Sequence, residues 1–144
     1  MAYKGRYKPK NITKYIGDHT KVIYRSLWER KFMVYCDTTD SVLEWGSEEV
    51  VIPYLSPIDG KWHRYYVDFL VRVKTHKNII ETKLIEIKPK KQCVPPKIPE
   101  KKTRRFITEV KRWGVNSAKW KYASEFAKQK GWQFVILNED HLSV

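Results

Sequence analysis

Asp68, Glu86 and Lys88 are the residues of this chain best suited to chemistry. Asp68 interrupts the run Tyr65-Tyr66-Val67-Asp68-Phe69-Leu70-Val71, and Glu86 interrupts Leu84-Ile85-Glu86-Ile87. Ionised groups are costly in such apolar surroundings unless they are paired or bound to a cation. The string Glu-x-Lys carries little by itself, because it recurs at Glu29, Glu81, Glu86, Glu100 and Glu109. What singles out Glu86-Ile87-Lys88 is its position at the end of a buried-looking strand. Side chains alternate faces along a strand, so Glu86 and Lys88 point the same way. If the two strands turn near Lys77, Asp68 stands opposite Glu86 on that face. Val67, Phe69, Val71, Ile85 and Ile87 then share the other. A one-residue slip would separate the carboxylates.

Two carboxylates that close repel each other unless a cation bridges them. Mg²⁺ suits the role, since it takes hard oxygen ligands and commonly joins one or two carboxylates to phosphate oxygens. Mn²⁺ is a reasonable substitute. Such a metal polarises a phosphodiester and activates water. Lys88 would neutralise charge developing on the phosphate or position the water. Glu29, from a helix packed on the sheet, could add a ligand or hold a water. The competing reading is structural: Asp68 and Glu86 salt-bridged to Lys88 or Arg72, and Glu29 paired with Arg25 on the helix surface.

The elements that position these groups follow from periodicity. Tyr24, Leu27, Trp28, Phe32, Tyr35 and Cys36 recur at helical spacing, which predicts a helix from about Thr20 to Cys36, capped by Asp18 or Thr20. Strands are expected after Val42-Leu43-Glu44-Trp45, through Val50 to Tyr54, from about Trp62 to Val73, and from about Ile79 to Lys88. Thr75-His76-Lys77-Asn78 would join the last two as an antiparallel hairpin. The stripe Phe106, Val110, Trp113, Ser117, Trp120, Ser124 and Ala127 predicts helix from about Thr103 to Lys130. Gly114 could divide it, with Asn116 capping the second part. Gly131 would end it, and Trp132 to Leu137 reads as a final buried strand. Helices flanking a mixed sheet give an α/β class.

Composition narrows the partner. The 144 residues carry 29 Lys+Arg against 16 Asp+Glu, a net charge of +13. That balance points to a polyanion, most often nucleic acid. Residues 1–17 read as a basic extended arm and 18–144 as a single domain with a basic loop at 89–103. Pro89, Pro95, Pro96 and Pro99 keep that loop out of regular structure. Lys90, Lys91, Lys97, Lys101, Lys102, Arg104, Arg105 and, from the late helix, Lys119 are the expected DNA contacts. Contacts of this kind hold phosphates and carry no base information, so little sequence specificity is expected. The six Trp mostly fit core stripes or strands. Two cysteines and four scattered histidines argue against a disulfide framework or a Cys/His zinc site and fit a reducing compartment. No apolar run approaches the ~20 residues of a membrane span, and the basic N-terminus lacks the apolar stretch of a secretion signal.

Glu29, Asp68 and Glu86-Ile87-Lys88 resemble the core motif of the PD-(D/E)xK nuclease superfamily, with Glu29 as its helix acid; Val67 stands where the name-giving Pro would be. Four longer strings are similar to something narrower. They are Ile23-Tyr24-Arg25-Ser26-Leu27-Trp28-Glu29-Arg30-Lys31-Phe32, Glu44-Trp45-Gly46-Ser47-Glu48-Glu49, His63-Arg64-Tyr65-Tyr66-Val67-Asp68-Phe69 and Asn116-Ser117-Ala118-Lys119-Trp120-Lys121. Together they resemble the head completion nucleases of T-even-type tailed phages, from the N-terminal arm to about Asn138. The TnsA-type transposon-end nucleases are similar at the core. The resemblance implies a restriction-endonuclease-like αβββαβ core with a central mixed sheet. It implies a metal-dependent nuclease, endo- or exonucleolytic, that processes packaged duplex DNA so that filled heads can join tails. Double-stranded DNA and capsid or portal components would be its partners, with no small-molecule cofactor. It would work in the host cytoplasm during assembly or in the virion head. Two rival readings stand beside it: a non-catalytic protein binding DNA ends or the portal, and a transposon-end or junction nuclease.

Overall fold

The structure, a computed structural model, describes residues 4–142; Met1, Ala2 and Tyr3 of the expected arm lie outside the described residues. The chain runs through β1 (Gly5–Arg6), β2 (Ile23–Tyr24), α1 (Leu27–Thr38), β3 (Val42–Ser47), β4 (Val51–Leu55), β5 (Trp62–Tyr66), β6 (Phe69–Lys74), β7 (Ile80–Ile87), α2 (Arg104–Gln129), β8 (Gln133–Leu137) and α3 (Glu139–Leu142). A four-stranded sheet in the order β3-β6-β7-β8 forms the centre. Its first two pairings are antiparallel and β7 pairs with β8 in parallel, so the sheet is mixed. Removing the small β1-β2 and β4-β5 ribbons leaves α1, three strands, α2 and a last strand, the expected αβββαβ arrangement.

The sheet is covered on both faces. One core gathers Phe32, Met33 and Cys36 of α1 against Trp45, Phe69, Val71, Ile85 and Ile87. The other sets Ala123 and Ala127 of α2, and Ile52, Tyr54 and Tyr65 of the β4-β5 ribbon, against Leu84. Val67 belongs to this second core, not with Phe69 and Val71 as strand alternation suggested. The reason is a break in the strand expected from Trp62 to Val73. β5 pairs with β4 as far as Tyr66, and β6 takes up β3 and β7 from Phe69. Between them Val67 N–H donates to Val50 O, and Asp68 O accepts from Glu48 N–H. The chain changes partners at Asp68.

Helix α1 begins seven residues later than periodicity suggested. Asp18 does accept from Thr20 N–H, but it caps a single 3-10 turn, His19–Lys21. Val22-Ile23-Tyr24 then favours extended backbone, and Ile23–Tyr24 pairs with Gly5–Arg6. Ser26 is the cap: its Oγ accepts from Glu29 N–H, and Glu29 occupies the acidic position of a capping box.

The described part of the arm is extended in β1 and anchored into the domain. Tyr7 and Tyr15 are buried against Trp45, with ring centroids 6.1 and 4.8 Å from it. Asp37, fully buried at the end of α1, accepts from Tyr7 Oη at 2.6 Å and from the N–H groups of Lys10 and Asn11 at 2.7 and 3.0 Å. Helix α2 is continuous, and Gly114 does not divide it. One interior glycine costs a helix only about 1 kcal/mol, too little to break a 26-residue helix packed on the sheet. Asn116 is buried within the helix and caps nothing. Gly131, with φ +73, ends the segment as expected. Helix α3 was not legible in the pattern; its Leu142 closes the α1 side of the core.

Candidate active site

The register of β6 and β7 carries the site. Phe69 pairs with Ile85 and Leu70 with Leu84, so Asp68, one step beyond the last pair, faces Glu86. Asp68 Oδ2 accepts from Ile87 N–H at 2.8 Å, which fixes its carboxylate at the edge of β7. Glu86 is only 3 % exposed, and its Oε2 accepts from the indole N–H of Trp120 at 3.3 Å. Burial is the main force holding the Asp68 carboxyl well above its ordinary range; the adjacent Glu86 adds to it, and the Ile87 N–H works against it. The pair is therefore in want of a positive charge.

No lysine or arginine of the described residues supplies that charge at salt-bridge distance. Arg72, one partner in the structural reading, is paired with Glu44. Arg25 holds Glu48 in a fork, with Nε to Oε1 at 3.0 Å and Nη2 to Oε2 at 3.2 Å. Glu29 is thus not Arg25's ion-pair partner. It is partly buried, its Oε2 accepts from Ser26 Oγ at 3.4 Å, and burial raises its carboxyl. Its charge is felt at Asp68. Among the described residues, however, no three acidic, histidine or cysteine side chains come close enough to hold one metal ion together. The structure unites Asp68 and Glu86, and leaves Glu29 one step removed.

Two amines flank the pair. Lys88 extends β7 on the Glu86 face and is partly buried, its N–H anchored on Leu137 O at 3.0 Å. Lys119, from α2, lies over the rings of Tyr54 and Tyr65 at 5.7 and 5.4 Å. Burial lowers its amine, Lys88 lowers it further, and Glu86 and Asp68 pull it back up. The Tyr65 hydroxyl is buried without a hydrogen-bond partner, and burial with the two nearby carboxylates makes its ionisation unfavourable. Trp120, Tyr65 and Glu48 have no individual signal in the sequence. Trp120 sits in an apolar helical stripe and reads there as core; only its place beside Lys119 in the quoted string pointed to this region.

Apart from Lys119, the expected DNA contacts form a separate, outer group. Lys91, Lys97, Lys101, Lys102 and Arg104 are exposed along the loop and the start of α2. Lys90, in the short 3-10 turn Lys90–Gln92, pairs with Asp140 at 2.8 Å, and Arg105 pairs with Glu109 at 3.2 Å. No helix of the described residues is long and apolar enough to cross a membrane.

Residues 39–139 match the family described as TnsA-like endonuclease N terminal, a span that includes Asp68, Glu86 and Lys88 and leaves Glu29 outside. The chain is 42 % identical over 146 aligned positions to the head completion nuclease of Enterobacteria phage T4, covering 99 % of this chain and 95 % of that protein. No solved structure matches. On the match over residues 39–139 and the identity along almost the whole chain, this chain belongs to the TnsA-like endonuclease family and is a relative of the phage T4 head completion nuclease.

Proposed function

We propose that this protein is a Mg²⁺-dependent deoxyribonuclease that hydrolyses phosphodiester bonds of duplex DNA during phage head completion. The observation that carries the reading is the facing of Asp68 and Glu86 with no lysine or arginine of the described residues at salt-bridge distance. A buried pair of this kind is unfavourable alone and well matched to a hard divalent ion. Asp68 and Glu86 would hold the ion, with Glu29 contributing through water from α1. When bound, Mg²⁺ polarises the phosphodiester and makes water a competent nucleophile at neutral pH. Mn²⁺ is expected to substitute.

The chain's own groups do the rest. Ile87 N–H and the Trp120 indole fix the two carboxylates, so little reorganisation is needed when substrate arrives. Lys88 neutralises negative charge growing on the phosphate as the water oxygen bonds to phosphorus and the ester oxygen departs. Lys119 approaches the same phosphate from α2. The exposed cations of the loop grip the flanking backbone, which gives affinity without base selection. Endonucleolytic and exonucleolytic cutting would use the same pair of carboxylates. The T4 relative is a head completion nuclease; in the same role this protein would act on packaged DNA in the host cytoplasm or the filled head, against capsid or portal components.

The test is nicking of supercoiled plasmid in Mg²⁺ by wild type, Asp68→Asn and Glu86→Gln. Wild type should cut, EDTA should stop it, and both variants should be inactive while still retarding DNA. Cleavage unaffected by EDTA, or by both substitutions in folded protein, overturns the assignment. DNA retention with no cleavage by wild type would leave the non-catalytic DNA-end or portal-binding reading in its place.

A further inference from the structure

A cavity of about 630 Å³ opens between the basic loop and α2, beside the carboxylate pair and not part of it. Its walls are Val94, Pro95 and Pro96 on one side and Trp113 on the other, with the buried Asn116 at its base. Trp113 meets Trp120 edge-on at 5.8 Å, and Trp120 is the residue that donates to Glu86. A group resting on Trp113 is thus one aromatic ring away from the reaction centre.

The chemistry of the lining selects the occupant. Two acids face the cavity: Glu109 is paired with Arg105, whereas Glu139 accepts from the backbone N–H of Lys90 and keeps its charge, one carboxylate against three cations. Lys91, Lys97 and Arg112 also face it and have no acidic partner among the described residues. An aromatic wall, a buried amide and uncompensated cations in one concavity match a base, its hydrogen-bonding edge and its phosphate. The volume lies within the usual range of small-ligand pockets. The prolines stiffen the facing wall, so little ordering is needed on binding. A base inside a duplex is stacked on both sides and cannot enter; it must be unpaired.

We propose that this cavity takes one unpaired deoxynucleotide of the DNA substrate, its base against Trp113. The proposal deepens the nuclease reading and rests on it. It predicts that the protein prefers DNA carrying a frayed or single-stranded tail over the same duplex with blunt ends. It also gives Trp113 a role beyond the core packing that its helical stripe suggests.

The test is fluorescence anisotropy on the full chain in EDTA, with labelled duplexes that are blunt or carry a short single-stranded tail, at one salt concentration. Wild type should bind the tailed duplex about tenfold more tightly, the range expected for one stacked base. Trp113→Ala should bring that ratio to about one, and Trp113→Phe should largely keep it. A second measurement needs no variant: a tail containing 5-iodo-deoxyuridine, irradiated on wild-type protein, should crosslink to the peptide bearing Trp113. A ratio near one in wild type, or a tail preference unchanged by Trp113→Ala, or a crosslink confined to other peptides, overturns the proposal. Crosslinking by free 5-iodo-deoxyuridine monophosphate without any tail preference would assign the cavity to a released nucleotide and likewise overturn it. Plasmid nicking separates the two levels: cleavage without tail preference removes only this inference, whereas no cleavage removes the nuclease reading beneath it.

Discussion

Replacing Asp68 with Asn removes one of two facing charges and keeps the shape of the side chain. Its amide oxygen can still accept from Ile87 N–H, 2.8 Å away in the wild type. In the metal-free protein the Asp68 carboxyl titrates above its ordinary range, because burial and Glu86 disfavour the charged form. An unfolded Asp releases its proton near pH 3.9. Between that pH and the raised folded value, the native state keeps a proton that the unfolded chain has lost. The stabilisation is therefore complete below the unfolded value and is lost as pH rises through this window. One proton corresponds to about 1.4 kcal/mol per pH unit. In a chain of 144 residues, 1 kcal/mol shifts Tm by roughly 2–4 °C. Wild type in EDTA should thus lose about 3–6 °C per pH unit across the window relative to Asp68→Asn, and the variant should be the more stable at neutral pH. Adding Mg²⁺ should recover the deficit in wild type alone. Thermal melts followed by circular dichroism over a pH series measure both effects. Parallel pH profiles for the two proteins, or an Asn variant less stable at neutral pH, would refute the argument that Asp68 and Glu86 stand uncompensated.

Trp120→Phe keeps an aromatic ring against Trp113 and loses the N–H that holds Glu86; cleavage at limiting Mg²⁺ should fall about 10–100-fold and recover substantially when the metal is raised, as a Mg²⁺ titration of nicking rate will show. Lys88→Ala should lower the single-turnover rate about 10²–10³-fold with little change in DNA affinity. Asp37→Ala removes the acceptor of three hydrogen bonds that fasten the arm; urea unfolding should show a loss of about 3 kcal/mol. The double substitution Lys101→Gln with Lys102→Gln should reduce the slope of log affinity against log salt by about 1.8 if both lysines neutralise phosphates of duplex DNA, and gel retardation over a salt series reads that slope directly.

The strands bearing Asp68 and Glu86 were legible because one turn fixes their register. Placing it near Lys77 sets Asp68 against Glu86, and the pairing of Phe69 with Ile85 agrees. Asn78, with φ 59, supplies the left-handed residue that such a turn uses. The other boundaries depend on contacts between distant segments. Residues before Leu27 carry a helical stripe, yet Ile23–Tyr24 is drawn into pairing with the arm. The strand expected from Trp62 to Val73 has no local breaker at Val67-Asp68; only the change of partner from β4 to β3 and β7 divides it. Gly114 looks like a breaker and is not one, because one interior glycine costs a helix only about 1 kcal/mol and α2 runs on through it to Gln129. At the site, the pairing of Arg72 with Glu44 and of Arg25 with Glu48 settles what spacing left open: these arginines are spent elsewhere. The role of Trp120 at Glu86 was hidden, since an indole on an apolar stripe looks the same whether its N–H is idle or holding a carboxylate.

If the chain cuts DNA as proposed, Asp68 and Glu86 act as joint ligands of one divalent ion. Anomalous diffraction from crystals soaked in Mn²⁺ tests this most directly. A peak is expected about 2.0–2.3 Å from an oxygen of each carboxylate, absent in crystals of Asp68→Asn. Manganese bound elsewhere on the surface, with none between these two side chains, would contradict it.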